Sequence, residues 1–157
     1  MHGNRRIFVA FVVIALVGAR AGGPGSPRLA GLWRTEDDKT HKPRGLVRIY
    51  DNHGAFYGRI VACFDPKEAK AVCAKCPGEQ RGKPIIGLVI LTDMRPHGNE
   101  YSGGQILDPE TGEAYRCIMT LENGGAKLLV RGYVGFSVFG RSQVWTRDTS
   151  AAGDARN

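Results

Sequence analysis

Between residues 29 and 147 the chain consists of short apolar runs separated by turn sequences, and no long segment repeats with the period of a helix. Eight runs rich in β-forming residues are predicted strands: 32–35, 46–50, 55–61, 85–91, 100–107, 114–121, 127–133 and 142–147. Turn sequences such as Asp-Asn-His-Gly at 51–54 and Asp-Pro-Glu-Thr-Gly at 108–112 join consecutive runs. An antiparallel meander must close on itself or pair with a second sheet to remove its edges. We therefore predict an all-β fold, a small antiparallel up-and-down barrel of about eight strands.

The alternation of side chains along the predicted strands assigns some residues to the inner face. Cys117 is predicted to face inward and Cys63 outward, and Val134 is predicted to share the inner face with Val130. The run 85–91 is continuously apolar, so we expect a strand or short helix that is buried on both sides. Gly makes up 22 of the 157 residues, and glycines in or beside strands let a small barrel bend.

The first 21 residues have the pattern of a secretory signal peptide. A polar start with two arginines precedes an apolar run at 7–17, and Ala19-Arg20-Ala21 has the small residues of a cleavage site. That run would span only about half of a bilayer's hydrocarbon core, which favours a signal peptide over a membrane anchor. We therefore expect the run to be cleaved off and the mature chain to have no integral membrane span. We predict cleavage after Ala21, a flexible leader at 22–28, a barrel at 29–147 and a disordered tail at 148–157. The expected location is periplasmic or secreted.

Removing the signal peptide changes the charge of the chain. The full sequence has 22 Lys and Arg against 15 Asp and Glu, a net charge of +7. The segment 1–21 contains three arginines and no acid, so the mature chain is left with a net charge of about +4, an ordinary value for a small domain. The basic residues at 67, 70, 75, 81 and 83 alternate with Asp65, Glu68 and Glu79 in a loop-like stretch. A nucleic-acid site needs a denser basic stripe with stacking aromatic residues, so nucleic-acid binding is not expected.

All four cysteines lie in the predicted mature chain, where an oxidising compartment favours disulfides. Cys73 and Cys76 form one C-x-x-C in a loop-like stretch, which predicts a local disulfide. A redox-active pair is disfavoured because Pro77-Gly78 does not begin a helix, and zinc is disfavoured because a single C-x-x-C is half a ligand set. Cys63 and Cys117 are left to pair with each other or to stay buried as small apolar residues.

The sequence contains none of the common catalytic or nucleotide-binding motifs, so we predict neither an enzyme nor a cofactor or metal site. The densest polar group follows the first strand and includes Asp37, Asp38 and Thr40. Paired carboxylates there could bind a cation or act as acid and base. Adjacent carboxylates on a strand point to opposite faces, however, so our interpretation is a turn with side-chain caps.

Gly31-Leu32-Trp33 on the first predicted strand resembles the G-x-W of lipocalin-like barrels. In those barrels the Trp closes one end and a late Arg packs across it, a part that the resemblance assigns to Arg147. The chain also resembles, from about residue 30 to residue 147, the secreted bacterial family known as domain of unknown function 2147. The matching stretches are Gly31-Leu32-Trp33 with 37–40, 46–50 with 57–60, Cys73-x-x-Cys76-x-Gly78, 86–91, 101–109, Gly112-x-x-Tyr115-x-Cys117, 131–135, and Gly140-Arg141 with Trp145-x-Arg147.

This resemblance implies a small exported lipocalin-like barrel with no established reaction. The chain departs from the family pattern at His41, Gly45 and Cys63. Our candidates for binding a ligand or closing the barrel are Trp33, Tyr115, Tyr133, Trp145 and Arg147. The first functional hypothesis is binding of a small apolar or amphipathic ligand in the periplasm. The alternative is a non-enzymatic envelope structural or interaction protein whose barrel is filled by side chains.

Overall fold

The computed structural model describes residues 29–37, 40–136, 138 and 140–150. More than half of the residues in this part of the chain lie in β-strands. Its nine strands are β1 Gly31–Glu36, β2 Pro43–Asn52, β3 Ala55–Cys63, β4 Val89–His97, β5 Glu100–Ser102, β6 Gln105–Leu107, β7 Ala114–Glu122, β8 Lys127–Tyr133 and β9 Gly140–Arg147. One short helix, α1 (Pro66–Ala69), lies between β3 and β4. The predicted signal peptide and leader, and residues 151–157 of the predicted tail, lie outside the described residues.

The strands form one closed antiparallel barrel in simple meander order. Neighbouring strands pair in sequence from β1 to β4, and from β7 to β9, and β9 closes the barrel on β1. Both β5 and β6 lie between β4 and β7, so the two short strands share a single position. The barrel therefore has eight strand positions around its circumference, which confirms the predicted up-and-down fold.

The predicted strand 100–107 is interrupted where the chain approaches β4 too closely for a side chain. A Cβ at Gly104 would lie 2.0 Å from the carbonyl oxygen of Thr92 and 2.7 Å from the sulfur of Met94. Gly103, just before it, has a φ of +84°, in the region that glycine favours. The bend at these two residues produces β5 and β6 instead of one continuous strand.

The prediction that 85–91 is one element buried on both sides is wrong. Strand β4 begins only at Val89 and continues to His97, so 85–88 belong to the connection from β3. Gly87 has a φ of +97°, and its N–H donates to the Ile60 carbonyl at 2.8 Å. That turn directs the Ile86 side chain outward, where it is 40% exposed. A continuous apolar run does not reveal such a turn in advance.

The core contains the inward-facing residues of most strands, with Trp33, Met94, Met119, Leu128 and Trp145 among its largest side chains. The predicted inward position of Val134 is wrong, because β8 ends at Tyr133 and the Val134 side chain is 67% exposed. The alternation of inward and outward side chains also shifts at the end of β3. Leu46 pairs with Ala62 whereas the next residue, Val47, pairs with Ile60, so a bulge skips one residue of β3.

The two ends of the barrel differ. At one end, which we call the closed end, tight turns join β2 to β3 and β4 to β5, and the segment before β1 meets the residues after β9. At the other, the open end, four longer connections join β1 to β2, β3 to β4, β6 to β7 and β8 to β9. The longest of them, 64–88, contains α1 and both cysteines of the C-x-x-C. In the described part of the chain, no helix has the length and apolarity needed to cross a membrane.

Strand β9 ends at Arg147, the predicted end of the domain, and the next residue is still hydrogen-bonded to the barrel. The Asp148 N–H donates to the Leu32 carbonyl at 2.8 Å, and its carboxylate forms an ion pair with Arg34 at 2.8 Å. Asp148 is the first residue of the predicted disordered tail, but it is hydrogen-bonded to β1.

Candidate functional site

A cavity of about 690 Å³ extends from the open end into the interior of the barrel. Its floor and walls are mainly apolar and come from most of the strands. The deepest contributions are the buried side chains Val47, Ile60, Ile90, Leu107, Val130 and Trp145. These side chains point inward from separate strands and are at most 9% exposed, so they pack together and form the apolar inner end of the cavity.

The inward face of β9 brings a polar group among these apolar ones. Gln143 and Trp145 both line the cavity, two residues apart on the same strand. The Trp145 indole Nε1 donates to the Gln143 side-chain oxygen at 3.0 Å. This bond uses one of the two acceptor positions of the Gln143 side-chain oxygen and orients the amide of a residue that lines the cavity.

The rim of the cavity carries charged side chains from three elements that meet at Arg44. Its Nε lies 3.2 Å from a carboxylate oxygen of Glu68 on α1, and its terminal nitrogen Nη2 contacts the carboxylate of Glu110 in the connection between β6 and β7. Burial would lower the pKa of Arg44, but these two carboxylates outweigh it and raise the pKa. Arg44 therefore stays charged and joins β2, α1 and the β6–β7 connection across the rim.

The disulfide between Cys73 and Cys76 fixes the long β3–β4 connection beside the same rim, which confirms the predicted local bridge. Both cysteines are fully buried. The Cys73 sulfur lies 3.3 Å from the Pro109 carbonyl oxygen. Gly112 packs even closer, because a Cβ there would lie 2.1 Å from the Lys75 carbonyl oxygen. Only glycine fits this position, so the two connections form one packed layer at the open end.

The five aromatic and arginine candidates from the sequence divide between the two ends. Tyr115, Tyr133 and Trp145 line the cavity. The Tyr115 hydroxyl donates to the Glu113 carboxylate, and this hydrogen bond raises the pKa of Tyr115. The other two candidates, Trp33 and Arg147, lie at the closed end and do not line the cavity.

At the closed end the Arg147 guanidinium covers the ring of Trp33, 4.2 Å from its centroid. Trp33 is fully buried and its Nε1 donates to the Leu29 carbonyl at 2.9 Å. Arg147 also donates from Nε to the Gly125 carbonyl at 2.7 Å and from a terminal nitrogen to the Ala30 carbonyl at 3.2 Å. Burial lowers the pKa of Arg147. One side chain thus joins the first strand, the turn before β8 and the last strand.

The glycine of the G-x-W motif has a specific reason to be there. A Cβ at Gly31 would lie 2.5 Å from a terminal nitrogen of Arg147. Its φ of +149° also lies in the range that other residues rarely adopt. Gly31 therefore leaves room for the arginine that covers Trp33.

The polar group after β1 forms a turn at the open end. The Asp37 carboxylate accepts hydrogen bonds from the Thr40 N–H at 2.8 Å and the Thr40 hydroxyl at 2.9 Å. This is the local side-chain capping that the sequence indicated, and Asp37 also lines the rim of the cavity. Asp38 lies outside the described residues. Within the described ranges, no cluster of three or more His, Cys, Asp or Glu residues has the arrangement of a metal site.

The structure does not join Cys63 to Cys117. Cys117 is fully buried in the core, where burial raises its pKa to about 12. Cys63 lines the rim of the cavity, and partial burial raises its pKa as well. Of the two alternatives left open by the sequence, pairing is not observed, and burial as a small apolar residue holds for Cys117, whereas Cys63 is only partly buried.

Sequence reasoning missed Arg44, Glu68, Glu110 and Gln143. Arg44 lies at the start of β2, and Glu68 and Glu110 lie on two separate connections, so no local pattern brings the three together. Gln143 had a usable signal, because it alternates with Trp145 and Arg147 on the last strand and so shares their inward face.

Comparisons with known proteins agree with this architecture. The model of a family described as "Uncharacterized protein conserved in bacteria (DUF2147)" matches residues 31–147. A solved structure of protein HP1028 from Helicobacter pylori, whose description places that protein in the lipocalin family, is similar with a TM-score of 0.69 and 21% sequence identity. The similarity covers 82% of this chain and 88% of that chain. At this identity the likeness concerns the fold. A comparison with curated protein sequences found no match.

Proposed function

Since the chain belongs to DUF2147, a family of uncharacterized proteins conserved in bacteria, we propose its function from the site itself: it binds a small amphipathic molecule. The apolar part of that molecule lies in the barrel, and its polar part lies at the rim near Arg44 and Gln143. We further propose that this binding takes place in the periplasm, after removal of residues 1–21. The signal-peptide pattern of the sequence supports that location.

The observation that carries the proposal is the cavity of about 690 Å³ with an apolar floor and a polar rim. Small-molecule sites in proteins are concave, mostly apolar, and oriented by a few polar groups. A cavity of roughly 300–1,000 Å³ is the usual size for such a site. The alternative hypothesis, a structural protein with a side-chain-filled barrel, requires an interior without this space.

We propose binding without catalysis. Several charged and hydroxyl groups of the rim are engaged with a neighbouring side chain, as in the Arg44 pairs with Glu68 and Glu110 and the Tyr115 bond to Glu113. Groups held this way orient a polar head group but do not present an activated nucleophile beside a base.

The first experiment is native mass spectrometry of the protein purified from the envelope of a bacterium that produces it. We expect a bound small molecule that is released on unfolding. An unliganded mass, together with no thermal shift in the presence of fatty acids or similar amphiphiles, would contradict the proposal.

A cavity-filling variant links binding to the barrel interior. Ala62 lines the cavity near the rim, so Ala62→Phe places a ring in the space that a ligand would occupy. We expect it to weaken binding of the fluorescent probe N-phenyl-1-naphthylamine by at least about tenfold, the loss that follows from displacing one buried aromatic contact. The matched control is Val144→Phe, which adds a ring to an exposed site on the outer wall. Equal binding by both variants would place the probe outside the barrel.

A further inference from the structure

The exposed apolar side chains of the barrel are gathered at its open end. Among the residues that the structure describes, seven large apolar side chains are exposed, and only Val144 lies on the barrel wall. The other six are on connections at the open end: Phe64, Val72, Ile86, Val134, Phe136 and Val138. The most exposed are Phe136 at 80% and Val138 at 77%. Isolated exposed apolar residues are common, but a cluster on one end marks an interaction surface.

These six side chains belong to two connections on opposite sides of the cavity mouth. Phe64, Val72 and Ile86 lie between β3 and β4, and the others lie between β8 and β9. In the strand order these two connections are separated by half of the eight positions around the barrel. Val72 and Val134 also line the cavity. The exposed apolar surface is therefore continuous with the apolar interior.

The charges beside this surface favour an anionic partner. The connection between β3 and β4 carries five exposed cations: Lys67, Lys70, Lys75, Arg81 and Lys83. It has three acids, of which Glu68 is paired with Arg44 and Asp65 accepts from the Lys67 N–H at 2.7 Å. The connection between β8 and β9 has no charged residue from 134 to 140. The third acid of the connection between β3 and β4 is Glu79, so its five cations exceed its acids by two. The other acids described at the open end lie on connections without exposed large apolar side chains: Asp37 between β1 and β2, and Asp108, Glu110 and Glu113 between β6 and β7.

One apolar connection with lysines beside it, and a second, uncharged apolar connection across the mouth, match the interface of a bilayer with anionic lipids. The apolar tips enter the boundary between head groups and acyl chains, while nearby cations are attracted to the anionic surface. A protein partner would need a complementary rigid groove, whereas a lipid surface accommodates two separated apolar loops around an open mouth. We propose that the open end docks on an anionic lipid surface through these two connections, with the cavity mouth facing the lipid. That the cavity exchanges its amphipathic ligand there rests on the proposed function.

The test is co-sedimentation of the purified protein with vesicles of phosphatidylcholine mixed with phosphatidylglycerol. We expect the protein to bind the mixed vesicles and to bind vesicles of phosphatidylcholine alone more weakly. High salt should lower the affinity for the mixed vesicles and reduce the difference in affinity between the two vesicle types. Replacing Phe136 and Val138 with Ser should weaken binding by at least about tenfold, because two exposed apolar side chains no longer enter the interface. The control Val144→Ser removes an exposed apolar side chain from the wall and should leave vesicle binding unchanged.

Binding of N-phenyl-1-naphthylamine without vesicles, together with circular dichroism, verifies that each variant is folded and has an intact cavity. It also separates the two proposals, because the cavity can bind the probe whether or not the open end docks. No binding of the unsubstituted protein to the mixed vesicles would overturn the docking proposal. So would undiminished vesicle binding by the double variant, or a dimer in sedimentation velocity that the same two substitutions abolish, since the patch would then bind a second copy.

Discussion

Truncating Arg147 to Ala should destabilise the barrel more than any other loss of a single partly exposed charge. The side chain makes two hydrogen bonds to main-chain carbonyls, at Gly125 and Ala30, and covers the ring of Trp33. A hydrogen bond from a charged donor contributes about 1.5–3 kcal/mol, and a cation–π contact about 0.5–2 kcal/mol. These contributions belong to one side chain and overlap, and water can reach part of the site. We therefore expect Arg147→Ala to lower the free energy of unfolding by about 2–4 kcal/mol, a large part of the roughly 5–15 kcal/mol of a typical domain.

The assay is urea unfolding followed by far-ultraviolet circular dichroism, which does not depend on the altered surroundings of Trp33. Arg147→Lys keeps the charge but loses the planar, forked donor, and it should fall between the parent protein and Arg147→Ala. Arg116→Ala is the matched control because Arg116 is exposed on the outer wall. It should change the free energy of unfolding by less than about 0.5 kcal/mol.

Probe binding in the cavity should survive in folded Arg147→Ala, since Arg147 lies at the opposite end from the mouth. A free-energy change below about 0.5 kcal/mol for Arg147→Ala, or an equal change for Arg116→Ala, would refute the assigned role of the closed end.

Three further predictions concern single groups. Gly31→Ala should lower the free energy of unfolding by about 1–3 kcal/mol, because the new methyl group meets the Arg147 guanidinium and the backbone is strained. The control is Gly98→Ala, where the φ is positive but no neighbour is close; it should lower the free energy of unfolding by less, and an equal loss would remove Arg147 from the explanation. Under denaturing, non-reducing conditions a thiol reagent should detect two thiols, Cys63 and Cys117, and in the native protein only Cys63 should react quickly; four reactive thiols, or none, would contradict the observed pairing. Hydrogen bonds from Ser150 and the Arg34 ion pair lower the pKa of Asp148 from 3.8 to about 2, so the stabilising effect of its carboxylate should be complete above pH 3.8 and disappear as the pH falls to about 2. Acid unfolding of Asp148→Asn should lack this part of the pH dependence, and a profile unchanged from the parent protein would contradict the assigned role of Asp148.

The sequence was sufficient to predict the barrel because alternation and turn residues act locally. It was less informative where a contact with another strand decides the backbone, as at Gly104, which meets β4 and divides one predicted strand into two. The same limit explains 85–91, where a positive φ at Gly87 turns an apolar run out of the sheet. In both places the deciding interaction is distant in sequence.

In the candidate site, too, the residues set by local alternation could be predicted and those set by distant contacts could not. The aromatic residues of the interior could be identified on single strands, and Trp145 and Tyr115 do line the cavity. The rim could not be predicted, because Arg44, Glu68 and Glu110 meet only when the start of β2 and two connections pack together at the open end. The ion pairs of the rim therefore depend on that packing and not on any local sequence pattern.

The most direct test of a ligand inside the barrel uses the two tryptophans, which lie at different depths. Trp145 lines the cavity, whereas Trp33 is buried at the closed end. Trp33→Phe leaves Trp145 as the only tryptophan, and Trp145→Phe leaves Trp33. Each variant is titrated with a brominated fatty acid, whose bromine quenches a tryptophan it contacts. We predict saturable quenching in Trp33→Phe and little in Trp145→Phe. Equal quenching of both variants, or none in folded Trp33→Phe, would contradict a ligand site in this cavity.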